Sequence, residues 1–175
     1  MGRNLCLGAL LLAGISAVGP NDIRDEGVGT YTDPSVANQI SNFTINRQMV
    51  SCGVGMVGAS GALSGPFAML MYAKDIQFYH ADHAGKTITA SGRMRSITQT
   101  GGMTVEDVEH DFLAIAVDNA GTGSPDRFDV HFTTPFWKPG NPLCTPSTVH
   151  PGWCRFGGDL IVSGGTQLGD VSVGP

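Results

Sequence analysis

Along most of the chain apolar side chains recur at every second position, not every third or fourth. Residues 42–50, NFTINRQMV, put Phe43 and Ile45 on one face, with Arg47 next in the same alternation. Residues 87–98, TITASGRMRSIT, alternate across Gly92, and a glycine inside such a run signals a bulge or a close packing contact. In RFDVHFTT, 127–134, Phe128, Val130 and Phe132 point one way, and Arg127, Asp129, His131 and Thr133 the other. A period of two is the signature of half-buried strands. Residues 66–83, PFAMLMYAKDIQFYHADH, begin apolar and read as strand beside these neighbours, with Asp75 marking a turn or bulge. TVEDVEHDFLAIAVDN predicts a buried strand, FLAIAV, preceded by one helical turn or a polar strand end. DLIVSGG and GDVSVG predict a closing hairpin. The pattern as a whole predicts an all-β fold, an antiparallel β-sandwich or flattened barrel of about eight to ten short strands.

Composition agrees with this picture. Charged residues make up 14% of the 175, against roughly 25% in ordinary domains. Glycine, at 25 residues, is about twice its usual share. Few charges and many glycines suit short strands with tight turns and leave little for the surfaces of helical bundles. A net charge of −5 with ten basic residues supplies no electrostatic footprint for nucleic acid. The one basic cluster, Arg93 and Arg95, reads as a solvated strand face.

The first 19 residues, MGRNLCLGALLLAGISAVG, have one early positive charge, an apolar run from Leu5 to Ile15 and small residues after it. That is the layout of a secretory signal peptide, and the run is short for a bilayer span. The expected organisation is a signal peptide over 1–19, a linker or N-terminal arm over 20–41 with room for one short edge strand, and a β-sandwich domain over 42–175 with a loop insertion at 135–157. No membrane span is expected in the mature chain, which is placed as secreted or at the cell surface. Removing the leader leaves Cys52, Cys144 and Cys154. Cys144 and Cys154 bracket CTPSTVHPGWC, a proline- and glycine-bearing loop that can bring its ends together, so they are the expected disulfide, stabilising by roughly 2–3 kcal/mol. Cys52 is then expected to be a free, buried thiol.

Three constellations carry candidate chemistry. In AIAVDNAGTGSPDRFDVHF, residues 114–132, Asp118, Asn119, Asp126 and Asp129 are oxygen ligands of the kind calcium takes. The same residue types hold turns by bonding their own backbone, so a structural turn and a cation loop both stand. His80, Asp82 and His83 form HADH, which would make a metal site, and with it a metal-dependent hydrolase, only if a turn begins at Ala81. The competing role is Asp82 capping a turn. Glu106, Asp107, Glu109 and Asp111 offer nominal paired carboxylates or, more simply, a solvated face. No nucleophile elbow is present, since GASGALSG is out of register.

FYHADHAGKTITASG, FLAIAVDNAGTGSPDRFDVHF and GGDLIVSGGTQLGDVSVG, in that order, resemble the post-COAP domain, a small β module of exported bacterial proteins. The resemblance covers about residues 65–175 and departs from the family pattern at MTVEDVEHD. It implies fold and export and transfers no catalytic residue. The 135–157 segment is not part of that pattern and reads as an insertion at a hairpin tip. There Phe136, Trp137 and Trp153, near Lys138 and His150, form either an exposed binding surface or a minicore over the disulfide.

The resulting expectation is a non-catalytic, secreted structural or interaction module, with no certain cofactor beyond the calcium reading. Self-assembly into a homo-oligomer or surface array, through sheet edges or donation of the 20–41 arm, is one form of it. A carbohydrate- or protein-binding module using the 136–153 aromatics is the alternative.

Overall fold

The computed structural model describes residues 25–31, 39–57, 63–100, 103–133, 145–160, 162–163, 166–167 and 169–174. The strands in chain order are β1 (Glu26–Tyr31), β2 (Gln39–Ile45), β3 (Val50–Val57), β4 (Leu63–Asp82), β5 (Thr87–Thr100), β6 (Met103–Val117), β7 (Arg127–Thr133), β8 (Thr145–Pro146), β9 (Trp153–Asp159), β10 (Val162–Ser163), β11 (Thr166–Gln167) and β12 (Gly169–Ser172). No helix occurs among the described residues. Ten strands form one antiparallel sheet in the order β12-β1-β2-β3-β4-β5-β6-β7-β9-β8, and β10 and β11 pair separately. The sheet curls into a half-barrel. Its two ends approach where Tyr31, at the end of β1, bridges Leu160, just past β9.

The curl follows from what the inward positions hold. Tyr31, Phe43, Phe128 and Phe156 come from β1, β2, β7 and β9, which lie at opposite ends of the sheet order, yet all four are fully or almost fully buried. The Phe43 and Phe128 rings stack at 4.5 Å, and Tyr31 meets Phe156 edge-on at 5.7 Å. Bringing four aromatic side chains out of water contributes roughly 1.5–3 kcal/mol each, which only a bent sheet can collect. The alternation read from the sequence holds through β5, where Ile88, Ala90, Met94, Ser96 and Thr98 all face inward. It holds in β7, where Phe128, Val130 and Phe132 are buried.

Bending long strands requires local breaks. The β4–β5 register shifts between Ala73 and Asp75 and again between Ile76 and Phe78, so the irregularity expected at Asp75 is present. Gly92 lies opposite, and a Cβ there would sit 2.1 Å from the Asp75 carbonyl oxygen. The close approach anticipated at this glycine is therefore real, and it lets β4 fold tightly over β5.

Several sequence expectations are corrected. The short strand allowed for within 20–41 is present as β1, but it is not an edge, because it lies between β2 and β12 and Tyr31 is in the core. This strand was hard to see because its one aliphatic side chain, Val28, points outward, while the buried position opposite Phe43, Ile45 and Val171 is Gly27. The strands are not uniformly short: β4 has 20 residues, β5 14 and β6 15. Residues 104–111 form no helical turn but continue β6, with His110 buried on its inward face. The insertion ends before 157, since Trp153–Asp159 is a strand that pairs along β7. The closing hairpin is replaced by β12 pairing with β1. Cross-chain pairing partners of this kind leave no mark in local periodicity. Residues 1–19 lie outside the described residues.

Cys52 is buried and is the one free thiol among the described residues. Burial raises its pKa far above the ordinary thiol range, so almost no thiolate forms near neutral pH. We expect Cys52 to resist a maleimide or disulfide reagent in the native protein and to react fully once denatured. Rapid labelling of the folded chain at Cys52, read by peptide mass, would contradict the packing. Cys154 is also buried, and it is not free. Cys144 lies outside the described residues, so the Cys144–Cys154 pairing remains an expectation.

Candidate functional site

The acidic crossing between β6 and β7 brings Asp118 and Asp126 together beneath β12. Asp118 is buried at the end of β6, and its own amide donates to the Lys86 carbonyl at 3.0 Å. Its Oδ1 accepts the Ala120 amide at 2.8 Å, and its Oδ2 meets Lys86 Nζ at 3.4 Å and the Val173 amide at 3.5 Å. Asp126, also buried, accepts the Asn119 amide at 2.8 Å on Oδ1 and the Val171 amide at 2.9 Å on Oδ2. Its carbonyl takes the Leu160 amide at 2.8 Å. The Asn119 side chain donates to the Pro125 carbonyl. One turn is thereby tied to itself, to the end of β9 and to β12. Asp25 adds a third tie, accepting the Gly174 amide at 3.0 Å.

Of the four oxygens proposed for calcium, these contacts join Asp118, Asn119 and Asp126. Asp129 stands apart on the outward face of β7, between Arg155 at 2.5 Å and Arg127 at 3.5 Å. The carboxylate oxygens of Asp118 and Asp126 point at backbone N–H groups, so the turn reading accounts for each of them. What this geometry does is mechanical: carboxylates satisfy buried amides that no strand ladder reaches.

Asp170, on β12, feels the charge of the same acids. Burial first, then the negative charges of Asp126 and Asp118, raise its pKa above 3.8. An acid whose native pKa is raised binds its proton more readily folded than unfolded, so its cost builds as pH climbs past 3.8 and persists at neutrality. We expect Asp170→Asn to raise the thermal midpoint at pH 7, with the gain vanishing at pH 3. A lower midpoint at pH 7 would contradict the assignment.

The HADH residues do not converge. Asp82 Oδ1 accepts the Ala84 and Gly85 amides at 3.1 and 3.0 Å, capping the β4–β5 turn. His83 Nε2 lies 3.0 Å from Asp25, and His80 is exposed beside Phe78. No group of three or more His, Cys, Asp or Glu side chains able to hold a metal ion occurs among the described residues. The acids of β6 are likewise paired across the sheet. Glu109 bonds Lys74 and Arg93, and Asp107 takes Arg95 at 2.7 and 2.5 Å. The hydrogen bond from Arg95 holds the Asp107 pKa below its ordinary value, and the bond from Lys74 does the same for Glu109. Glu106 is half-buried and Asp111 exposed.

The outer face of β7 and β9 carries a cluster that the sequence did not announce. His131 points outward, as its alternation demands, but is 1% exposed because residues 146–153 fold over it. Its Nδ1 is 2.6 Å from Ser147 Oγ, which also accepts the His150 amide at 2.8 Å. The His150 ring stacks on Trp153 at 4.7 Å. For Trp153 and His150 the minicore reading is the one this geometry favours. Phe136, Trp137 and Lys138 lie outside the described residues.

Burial lowers the pKa of both His110 and His131 below 6.5, opposed at His110 by the backbone carbonyl of Thr133, which accepts from the ring, and at His131 by Asp129. The unfolded chain therefore binds protons first as pH falls below 6.5. The stability these two contribute is complete above that value and is lost as pH drops through their native pKa values. We expect the denaturant midpoint to be lower at pH 5 than at pH 7.5, with both rings titrating below 6.5 by NMR. Ring titration above 6.5 would contradict the burial.

Asp25, Lys86 and Ser147 were missed by sequence reasoning. Lys86 alone gave a signal, as the last residue of a glycine-bearing turn, and it takes a positive φ of 49°. No family model, curated protein or solved structure matches this chain.

Proposed function

We propose that the chain is an exported, non-catalytic β module that works by association, as a structural or interaction protein at the cell surface or outside the cell. The observation that carries this reading is the commitment of six of the nominated acids, and of buried His131, to the fold. Asp82, Asp118 and Asp126 bind backbone amides, Asp107, Glu109 and Asp129 bind arginine or lysine, and His131 binds a buried hydroxyl. A group that must change protonation or coordination during a reaction is poorly served by such ties. Export rests on residues 1–19 and on the resemblance to exported bacterial modules.

Among forms of association, self-assembly is the reading supported best. Among the described residues the sheet has two ends, β8 and β12, each bonded to a single strand. Such ends pair readily with another chain. The arm itself is a poor donor over residues 26–31, since β1 already has a strand on each side. The glycan- or protein-binding alternative is weakened at Trp153, which is half-buried against His150. Light scattering on residues 20–175 over a concentration series, with and without calcium, tests the reading. Species larger than a monomer are expected to grow with concentration, and a chain that stays monomeric throughout would reject self-assembly.

A further inference from the structure

We propose that β12 is an exchangeable strand: it leaves its own β1 and docks on β1 of a second copy of this chain in the same antiparallel register, building the assembly by reciprocal exchange. This inference rests on the self-assembly reading above and names its contact.

Three features single out β12. Among the described residues it is paired in the sheet with β1 alone, through Glu26↔Ser172, Gly27↔Val171, Val28↔Asp170 and Gly29↔Gly169. A four-pair ladder is a small barrier to release beside the long β4–β5 and β5–β6 ladders. It nevertheless completes the core, because Val171 and Val173 are buried at 1% and 6% exposure. An open β1 would leave those apolar positions empty, so it needs a strand that supplies two alternate valines. Its remaining ties are side-chain carboxylates on separate parts of the body, Asp126 to Val171 N and Asp25 to Gly174 N, with a longer contact from Asp118 to Val173 N. All of these receive any copy of the strand equally well.

The connection permits the move. Residues 160–168, nine in all, separate β9 from β12 and can reach about 30 Å when extended. Leu160 is held by its bridge to Tyr31 and by the Asp126 carbonyl; beyond it, the described residues pair in the two-residue β10–β11 ladder, Val162↔Gln167 and Ser163↔Thr166, and an isolated pair of that size is marginal in water. Exchange re-forms the same contacts in trans, so its main cost is association, offset as concentration rises.

The test uses residues 20–175 carrying Val28→Cys and Asp170→Cys. These positions are directly paired, Val28 is 56% exposed and Asp170 is exposed. Opposed residues of an antiparallel pair lie about 4.5–5.5 Å apart at Cα, within disulfide reach. Oxidised while dilute, the chain locks β12 in place. On concentration, the locked form is expected to assemble at least about tenfold less than the same variant kept reduced. Locked chains that assemble as well as reduced ones would overturn the exchange and leave self-assembly by another contact standing. Chains monomeric in both states would overturn both.

A second arm uses a chain ending at Leu168 and a labelled peptide of residues 169–174. Binding by anisotropy is expected, weakened at least about tenfold by Val171→Asp in the peptide. A truncated chain that retains its β circular dichroism yet ignores the peptide would overturn the proposal. If truncation abolishes folding, the locked variant decides.

Discussion

Gly157→Ala is expected to cost about 4 kcal/mol of stability, enough to unfold a domain of ordinary margin. Gly157 is buried in β9 with φ at 130°, a conformation that side chains rarely adopt. A Cβ there would lie 2.1 Å from the Phe128 carbonyl oxygen and 2.8 Å from the Asp129 Cα. Backbone strain contributes roughly 1–3 kcal/mol and forced separation of packed strands a further 1–3 or so. Both obstructing atoms are backbone, so no rotamer change relieves them. β7 and β9 would have to part between Phe128 and Val130, where the aromatic cluster closes the half-barrel. The comparison is Gly121→Ala in the acidic turn. Gly121 also has positive φ, 82°, but a Cβ would meet nothing within 4 Å. Only the strain remains there, about 1–2 kcal/mol. Urea denaturation of the two variants side by side gives the answer. Equal losses would show that the Gly157 contact does not constrain the sheet.

Asp126→Ala is expected to cost about 3–5 kcal/mol and to loosen β12 selectively. The substitution removes the acceptor of two amides, Asn119 N and Val171 N. Each buried donor left without a partner costs roughly 1–3 kcal/mol, and Val171 is core while Asp126 itself is 4% exposed. The loss should not spread evenly. Native-state hydrogen exchange should show the Val171 amide exchanging far faster than those of β5 and β6, because the carboxylate is its tie to the β6–β7 turn. Asp126→Asn keeps one carbonyl oxygen and should lose about half as much. A variant whose β12 amides stay as protected as those of β5 would contradict the clasp.

The two substitutions mark the boundary of what local pattern can convey. Alternation in 127–133 placed Phe128, Val130 and Phe132 on the buried face of β7, and the alternation read in 87–98 holds in β5, since a pleat forces side chains to opposite sides whatever lies beyond. Gly92 and Asp75 were legible as irregularities for the same reason: a glycine and an acid interrupt an apolar run only where geometry departs from the regular strand. The Asp118–Asp126 stretch was legible as a turn, but its real partners were not. Val171 and Val173 are 45 and 55 residues away along the chain. Nothing in either segment announces the other.

β1 and the 146–153 cover over His131 failed for related reasons. β1 puts glycine inward and valine outward, reversing the usual hint, and only the neighbouring Phe43, Ile45 and Val171 explain why a missing side chain belongs there. His131 has the parity of a solvated residue and is buried only because another segment lies on it.

From residues alone, then, come the β class, the alternate faces and the places where strands bend, all consequences of one residue's relation to its near neighbours. Folding in three dimensions decided the curl of the sheet, the insertion of β1, the capture of β12 and the conversion of acidic side chains from candidate ligands into backbone acceptors. Each of those depends on which distant segment arrives opposite a given face, and that is settled by collective burial of aromatic and aliphatic surface rather than by any local sequence preference.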